Sequence, residues 1–582
     1  MKIRIKVKHL VLYVLLPLIV LAAAAIWTPT AIERYQASRT PEALRLKTLE
    51  EIEQASSKRK LELIVQEAIR PSRYDLYRFD YQPGGNRLMV ASEDTEETGF
   101  LTPEDRLPLL ERYIREGEDE ALLIRAARQL AYEYGALGRS EDGEKALKQT
   151  FDRMQPGSQG RLELLLDRAE YALNQNDADK AEGLFEQLRK QTGSRGADLN
   201  TRTDRISSQI LFAQGRPEQA ATRAGSNLHS GTPIPRFVSP SPSPSSADSN
   251  HSKPESELML YRNLLERALS RGTTSPASFS GTLTYGDGTP VVRAGLFLRS
   301  EKDPGPVREG EPYRTVTDQN GRFDIRNVVP GSYVLELGLD FDQLDGWSWP
   351  VQAKDWMVEI GDGQHVEYPI VIQPLIELQS PVNDQEITGD TIDFSWSPIE
   401  GAAYYDVIGS IPDQDGNAYV GTAIRNRIPE NRLSLTLNEL YGTSGGLTMP
   451  DDGSWEDTDP NRLLAYMNPD ARFSWNVSAY DAEGRIISQS GGYRLSEDNV
   501  GNMPFFHVRQ RSLTEADRLL LDGKLEQALQ LYRRNIDIDP QDTESLYMAI
   551  RLLNAKFEIG GDIEAQSEEA ELRKRLPNSD SP

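Results

Sequence analysis

Phe279-Ser280-Gly281-Thr282-Leu283-Thr284-Tyr285, then Gly286-Asp287-Gly288, then Val291–Leu298: this stretch decides how the chain is read. Apolar residues take alternate positions, a glycine-rich turn follows, and an apolar run returns, which is the pattern of a β-hairpin. Asn320-Gly321 supplies the positive φ of a second tight turn, and Phe323 and Ile325 alternate after it. Pro330-Gly331 turns again before Tyr333, Leu335 and Leu337. Residues 277–374 therefore read as an antiparallel β-sandwich. Residues 375–505 read as a second one, with strands at Ile392–Trp396, Tyr404–Val407 and Phe473–Tyr480. Upstream of residue 277 the apolar period is helical, so the chain changes architecture there.

The 582 residues suffice for about three to five domains. With 65 Lys+Arg against 90 Asp+Glu, the net charge of -25 argues against nucleic acid, whose phosphates demand a basic footprint. There is no cysteine, which excludes disulfides, thiolate nucleophiles, Cys-ligated zinc and iron–sulfur clusters. His9, His229, His251, His365 and His507 never share a helical turn, so an HExxH-type metal site is excluded too.

Lys2, Arg4, Lys6 and Lys8 precede Leu10–Trp27, a run without charge. As a helix it spans about 27 Å, close to the ~30 Å hydrocarbon core. Residues 1–27 thus read as a cytoplasmic basic stub and transmembrane anchor, with the bulk of the chain outside. Ala22–Ala25 offers small residues for the competing reading, signal cleavage and secretion, but Ile26-Trp27 extends the apolar run.

Residues 28–230 read as helices, with N-cap starts at Thr40-Pro41-Glu42 and Thr102-Pro103-Glu104. Tyr74–Val90 breaks to period two around Pro83-Gly84-Gly85 and reads as a hairpin. Ala146, Ala181 and Ala220 recur at spacings of 35 and 39 residues, each early in the second helix of a pair. A small residue at the crossing lets two helices approach, and an aromatic such as Phe185 fills the groove beside it. Residues 231–256 form a Pro/Ser linker, 257–276 a short helix and connector, and 506–582 a further helical unit.

This helix–turn–helix period resembles the tetratricopeptide repeats, most fully at Ala516, Gly523, Ala528, Tyr532 and Pro540. It departs from them at Leu519, where the family prefers an aromatic, and at Asn535, where it prefers Ala. Gly281 to Ala294, Thr317-Asp318 to Phe323, and Val329-Pro330-Gly331-Ser332-Tyr333 resemble the carboxypeptidase-regulatory, prealbumin-like domain, which implies a noncatalytic module. Relatives can carry a Lys–Asn isopeptide crosslink, but no Lys lies between Phe279 and Ser300. Phe394-Ser395-Trp396, Gly401-Ala402, Trp475, Val477, Asp481 and Gly484 resemble a fibronectin type III-like domain. Its connections Asn426–Gly453 and Ser454–Pro469 are longer than the family's, and specificity is expected there. The whole resembles a bacterial membrane-anchored protein. The fold class expected is α-helical tetratricopeptide-like repeats flanking two antiparallel β-sandwiches, with one N-terminal transmembrane helix.

Each chemical candidate has a plainer reading. Gly442-Thr443-Ser444-Gly445-Gly446 matches the nucleophile-elbow spacing, yet Leu447–Gly453 cannot start the required helix, and only His507 follows as a base. Asp451, Asp452, Asp457 and Asp459 crowd one loop as calcium ligands would, but EF-hand order fails at Arg462 and Asn468, which leaves a solvated acidic loop. Trp347, Trp349 and Trp356 form a candidate carbohydrate-stacking strip, or else close the end of the first sandwich. His365 reads as a surface or edge histidine.

No catalytic, metal or cofactor constellation is expected. The expected function is a non-enzymatic, membrane-anchored extracytoplasmic scaffold for protein–protein interaction at the cell envelope. Its helical array would offer a concave surface, with Phe185 and Tyr532 as protein-binding residues and the C-terminal unit as a second docking point. The alternatives are an envelope carbohydrate-binding protein using Trp347, Trp349 and Trp356 on polysaccharide and, remotely, a serine hydrolase at Ser444. Fold alone grants no function.

Overall fold

The computed structural model describes residues 41–70, 79–81, 88–90, 101–192, 197–225, 254–300, 311–351, 357–413, 416, 418–447, 454–496 and 499–576. The expected anchor and most of the Pro/Ser linker lie outside the described residues. Among the described residues no helix is long and apolar enough to cross a membrane. The protein is multidomain, helical in its N-terminal half and β-rich in its C-terminal half.

After Pro41–Gln54, Ser57–Ile64 and Pro103–Glu116 come three antiparallel pairs: Glu120–Ala136 with Ser140–Arg153, Gln159–Asn174 with Ala178–Thr192, and Ala197–Ala213 with Pro217–Gly225. All three pairs close alike. Gly138, Asn176 and Gly215 are left-handed, at φ 69, 60 and 73. The next residue's N–H reaches back to the carbonyl of Tyr134, Ala172 or Leu211, the Schellman closure that satisfies orphan helix carbonyls. Gly523, with Lys524 donating to Leu519, repeats it near the C-terminus. Ala146, Ala181, Ala220 and Ala528 are all buried.

In the first β module one sheet runs Leu88–Val90, Phe79–Tyr81, Gly331–Leu339, Gly295–Ser300, Arg314–Val316, with Met357–Ile360 also on Gly331–Leu339. The other centres on Ala277–Tyr285. It is flanked antiparallel by Arg322–Val328 and parallel by His365–Glu367 and Ile370–Pro374, with Trp347–Ser348 beyond. The hairpin read at 74–90 is thus no part of the helical array. Phe79 stands opposite Leu339 and Tyr81 opposite Leu337, so it completes a sheet of the β module. The buried cation of this sheet is Arg299, held at 3.1 Å by both Glu311 and Glu336. Helix Pro254–Arg271 shares the module's core, where Tyr261, Tyr313 and Tyr333 meet edge to face.

In the second β module, Leu378–Ser380, Thr391–Trp396 and Arg432–Thr436 form one sheet. Gln385–Ile387, Phe505–Val508, Phe473–Tyr480, Tyr404–Pro412 and Tyr419–Ile428 form the other in that order, with Ile486–Gln489 on Phe473–Tyr480. The last strand runs past the expected boundary at 505. Trp396 and Trp475 meet in the core at 6.2 Å, and Trp475 Nε1 donates to the Pro381 carbonyl at 2.7 Å.

The two modules are joined at Asp345. Burial pushes its carboxyl up, but donors from Leu495 N–H at 2.7 Å, the Ser496 hydroxyl and the Asn499 amide at 2.9 Å outweigh that and hold it at about 2. A carboxyl depressed on folding stabilises above its unfolded value of 3.8, and the contribution is lost as pH falls through 3.8 toward about 2. Asp345→Asn is expected to lose about 1–2 kcal/mol at pH 7. Urea titrations should show that deficit closing below pH 3, where the parent carboxyl protonates too; a deficit constant with pH would contradict the assignment.

Candidate interaction surfaces

One face of the helical array is already occupied. The first helix of each pair packs on strand Arg314–Val316 or Arg322–Val328 of the first β module. Tyr132 donates to the Arg293 carbonyl at 2.9 Å, and the Asn327 amide to Leu173 at 3.4 Å. Buried Glu133 accepts from Arg293 at 2.6 Å and faces Arg106 at 3.6 Å. Beside it, Asp167 accepts from Arg128 at 2.9 Å and Arg202 at 2.6 Å, and Glu170 from Arg202 at 2.8 Å and Arg205 at 3.0 Å. Burial raises the Glu170 carboxyl, but Arg205, Arg202 and Arg314 of the β module outweigh that and hold it far below the usual range. Arg293–Glu133 crosses to the β module, while the Asp167 and Glu170 pairs tie helix to helix within the array. The sequence signal for this network is charge at positions the helical period marks as core.

The expected protein-binding residues are therefore corrected. Phe185 is 2% exposed, packed in its helix pair with the Arg189 guanidinium 5.0 Å over its ring. Tyr532 is equally buried, and its hydroxyl donates to Asp517 at 2.6 Å. Burial, then the Asp517 charge, pushes that phenol far up. Neither side chain can touch a partner while the fold stands, because each fills the gap beside a small residue inside its own pair.

The aromatic strip is corrected likewise. Trp349 is 5% exposed, and half-buried Trp347 lies 4.5 Å from Tyr285 at the sandwich edge. Trp349 is spent in the module's core and Trp347 packs against that core; Trp356 lies outside the described residues. His365, exposed on its edge strand, bonds Ser278 at 2.8 Å and Ser280 at 3.3 Å.

The long connections of the second β module are not free loops. Tyr441, Trp455, Leu463, Leu464, Tyr466 and Met467 are buried in one core with Leu520, Ala528, Tyr532 and Leu552 of the C-terminal helices. The insertions cement module to helices, so the C-terminal unit is continuous with the core of the β module. Ser444 follows the helix Leu437–Gly442 and precedes irregular backbone, the reverse of a nucleophile elbow. Its hydroxyl accepts from Gly446 N–H at 3.2 Å, while His507 Nδ1 donates to the Ala471 carbonyl at 2.8 Å. Asp457 and Asp459 act as helix caps, accepting from Ser454 N–H at 2.7 Å and Asn461 N–H at 2.8 Å. Asp451 and Asp452 lie outside the described residues, among which no group of three acidic or histidine side chains could hold a metal ion.

Tyr466 is fully buried, and its hydroxyl has no hydrogen-bond partner among the described residues. It points at Gly409, where an added Cβ would stand 1.8 Å away and 2.7 Å from Ile424. Gly409→Ala is expected to cost about 1–3 kcal/mol by overpacking. Adding Tyr466→Phe removes the closer of the two contacts and an orphaned hydroxyl, leaving the contact with Ile424, so the double variant should recover part of the loss in thermal melts. Additive losses would contradict this geometry.

No protein-family model and no curated protein matches this chain. Solved structures similar to it include a DUF3823 family protein from Parabacteroides merdae, at 13% identity over 40% of this chain and 98% of that one, TM-score 0.13. A candidate carbohydrate binding protein from Bacteroides uniformis is 10% identical over 37% and 96%, TM-score 0.13. The major pilin SpaD from Corynebacterium diphtheriae is 12% identical over 36% and 63%, TM-score 0.13. At that TM-score none of these likenesses carries an argument about this chain.

Proposed function

We propose that the chain is a non-enzymatic, membrane-anchored extracytoplasmic scaffold for protein–protein interaction at the cell envelope. In this reading the tetratricopeptide-like pairs act as a clamp that carries the β modules in a set orientation, and the partner surfaces lie on the outside. One observation supports it above the rest: the first helices of three successive pairs pack on the chain's own β module, with buried Glu133 accepting from Arg293 of that module at 2.6 Å. A face closed this way holds geometry instead of exchanging ligands.

The test is photo-crosslinking in intact cells from exposed apolar positions. Leu46 is 56% exposed, Met357 42%, Ile538 73% and Ile563 72%. Discrete protein adducts from any of them are expected. Absence of adducts from all four, with the chain co-sedimenting with envelope polysaccharide, would replace this reading by the carbohydrate-binding one.

A further inference from the structure

We propose that the open edge of the six-stranded sheet, strand Tyr419–Ile428, receives an extended acidic strand from a partner protein. This rests on the scaffold reading and names one of its partner surfaces. The strand has ten residues and ends its sheet, paired on one side with Tyr404–Pro412. Among the described residues no strand pairs its other side. Such a row of free backbone groups is a template for another chain, and proteins usually blunt it with charge, proline, a bulge or shortness. Tyr419–Ala423 has no charge and no proline and pairs in unbroken register with Ile408–Pro412; the register irregularities begin at Ile424 and continue to Ile428.

The outward side chains describe the occupant. Tyr419, Gly421 and Ala423 are exposed on one face; beyond the irregularity at Ile424, Arg425 stands opposite Val407 and is exposed as well. Gly421 and Ala423 leave room for an incoming strand's side chains. Tyr419 stands 6.1 Å from Phe505, whose ring carries the Arg472 guanidinium at 3.7 Å, an aromatic end with a cation beside it. At the other end Arg427 lies 4.9 Å over the Tyr404 ring, and Arg425 reaches Glu439 at only 3.4 Å with both side chains about half exposed. The strand has two arginines and no acid in a chain of net charge -25. A second copy is therefore disfavoured twice, by arginines meeting arginines and by like net charge. A carboxylate opposite Arg425 makes a favourable cross-strand pair, while the backbone ladder supplies affinity without demanding one sequence.

The probe is a fluorescent eight-residue peptide with one leading leucine, alternating threonine and valine, and three aspartates. A twin carries N-methyl groups on alternate amides, which keep its charge and destroy its ladder. Fluorescence anisotropy with the full chain in detergent should show the parent peptide binding. The methylated twin, and the parent peptide on Arg425→Glu/Arg427→Glu, should each bind roughly tenfold more weakly or worse. Both side chains are exposed, so the variant should keep the parent melting temperature. Hydrogen exchange should slow over 419–428 on binding. Equal binding of the methylated twin, or protection elsewhere, overturns the proposal, as does no binding at all. None of these results bears on the crosslinking test, which uses other positions.

Discussion

Arg551→Ala is expected to lower the stability of the second β module and the C-terminal helices together by about 3–5 kcal/mol. Arg551 sits in helix Thr543–Glu558, 8% exposed. It donates to the carbonyls of Leu463 at 2.9 Å, Leu464 at 3.2 Å, Thr443 at 2.8 Å, and also Tyr441. One guanidinium thus ties the helical unit to both insertions of the β module. Burial draws its pKa down to about 10, so it is still charged at neutral pH. Alanine would leave those carbonyls without their donor, at about 1–3 kcal/mol for each one that water cannot reach. Because module and helices share one core, the loss should appear as one urea transition seen alike by tryptophan fluorescence and circular dichroism. Arg551→Lys should recover part of it, since an ammonium keeps three donors. If truncation after residue 510 left the β module with the parent midpoint, the two would be independent units and this account would fall.

Glu133→Ala is expected to loosen the helical array from the first β module. Glu133 is 2% exposed between Arg293 and Arg106. Its removal leaves two guanidinium groups facing each other with little water, a loss of about 3–5 kcal/mol. Arg293→Ala added to it should cost less than the sum, because the second change removes a charge the first had stranded. The chain has no cysteine, so single cysteines at Lys148 and Arg326 would label cleanly for spin–spin distances. The parent should give one narrow distribution and Glu133→Ala a broad one. A narrow distribution in both would mean that Tyr132 and Asn327 suffice to hold the contact.

These outcomes turn on features of unequal legibility. The four Schellman closures follow from turn chemistry at Gly138, Asn176, Gly215 and Gly523, and a left-handed residue is a local requirement. The cap at Thr102 and the small residues Ala146, Ala181 and Ala220 are equally local. Phe185, Tyr532 and Trp349 misled for one reason. An aromatic side chain suits a core and an interface equally well, and sequence spacing alone does not say what covers it. The insertions between residues 426 and 469 misled because length suggests a loop. Tyr441, Leu463 and Tyr466 within them find burial against helices placed only after residue 514.

Local chemistry is enough for the change from helical to strand period at residue 277, the paired helices, and the two β modules, because each rests on near-neighbour sterics and on burying one face. Long-range packing alone settles where the hairpin of Phe79–Tyr81 docks, that Glu133 of the array meets Arg293 of the first β module, and which strand edge stays open. Those outcomes depend on pairing groups far apart in the chain, and free backbone edges and buried charges are settled only by what arrives beside them.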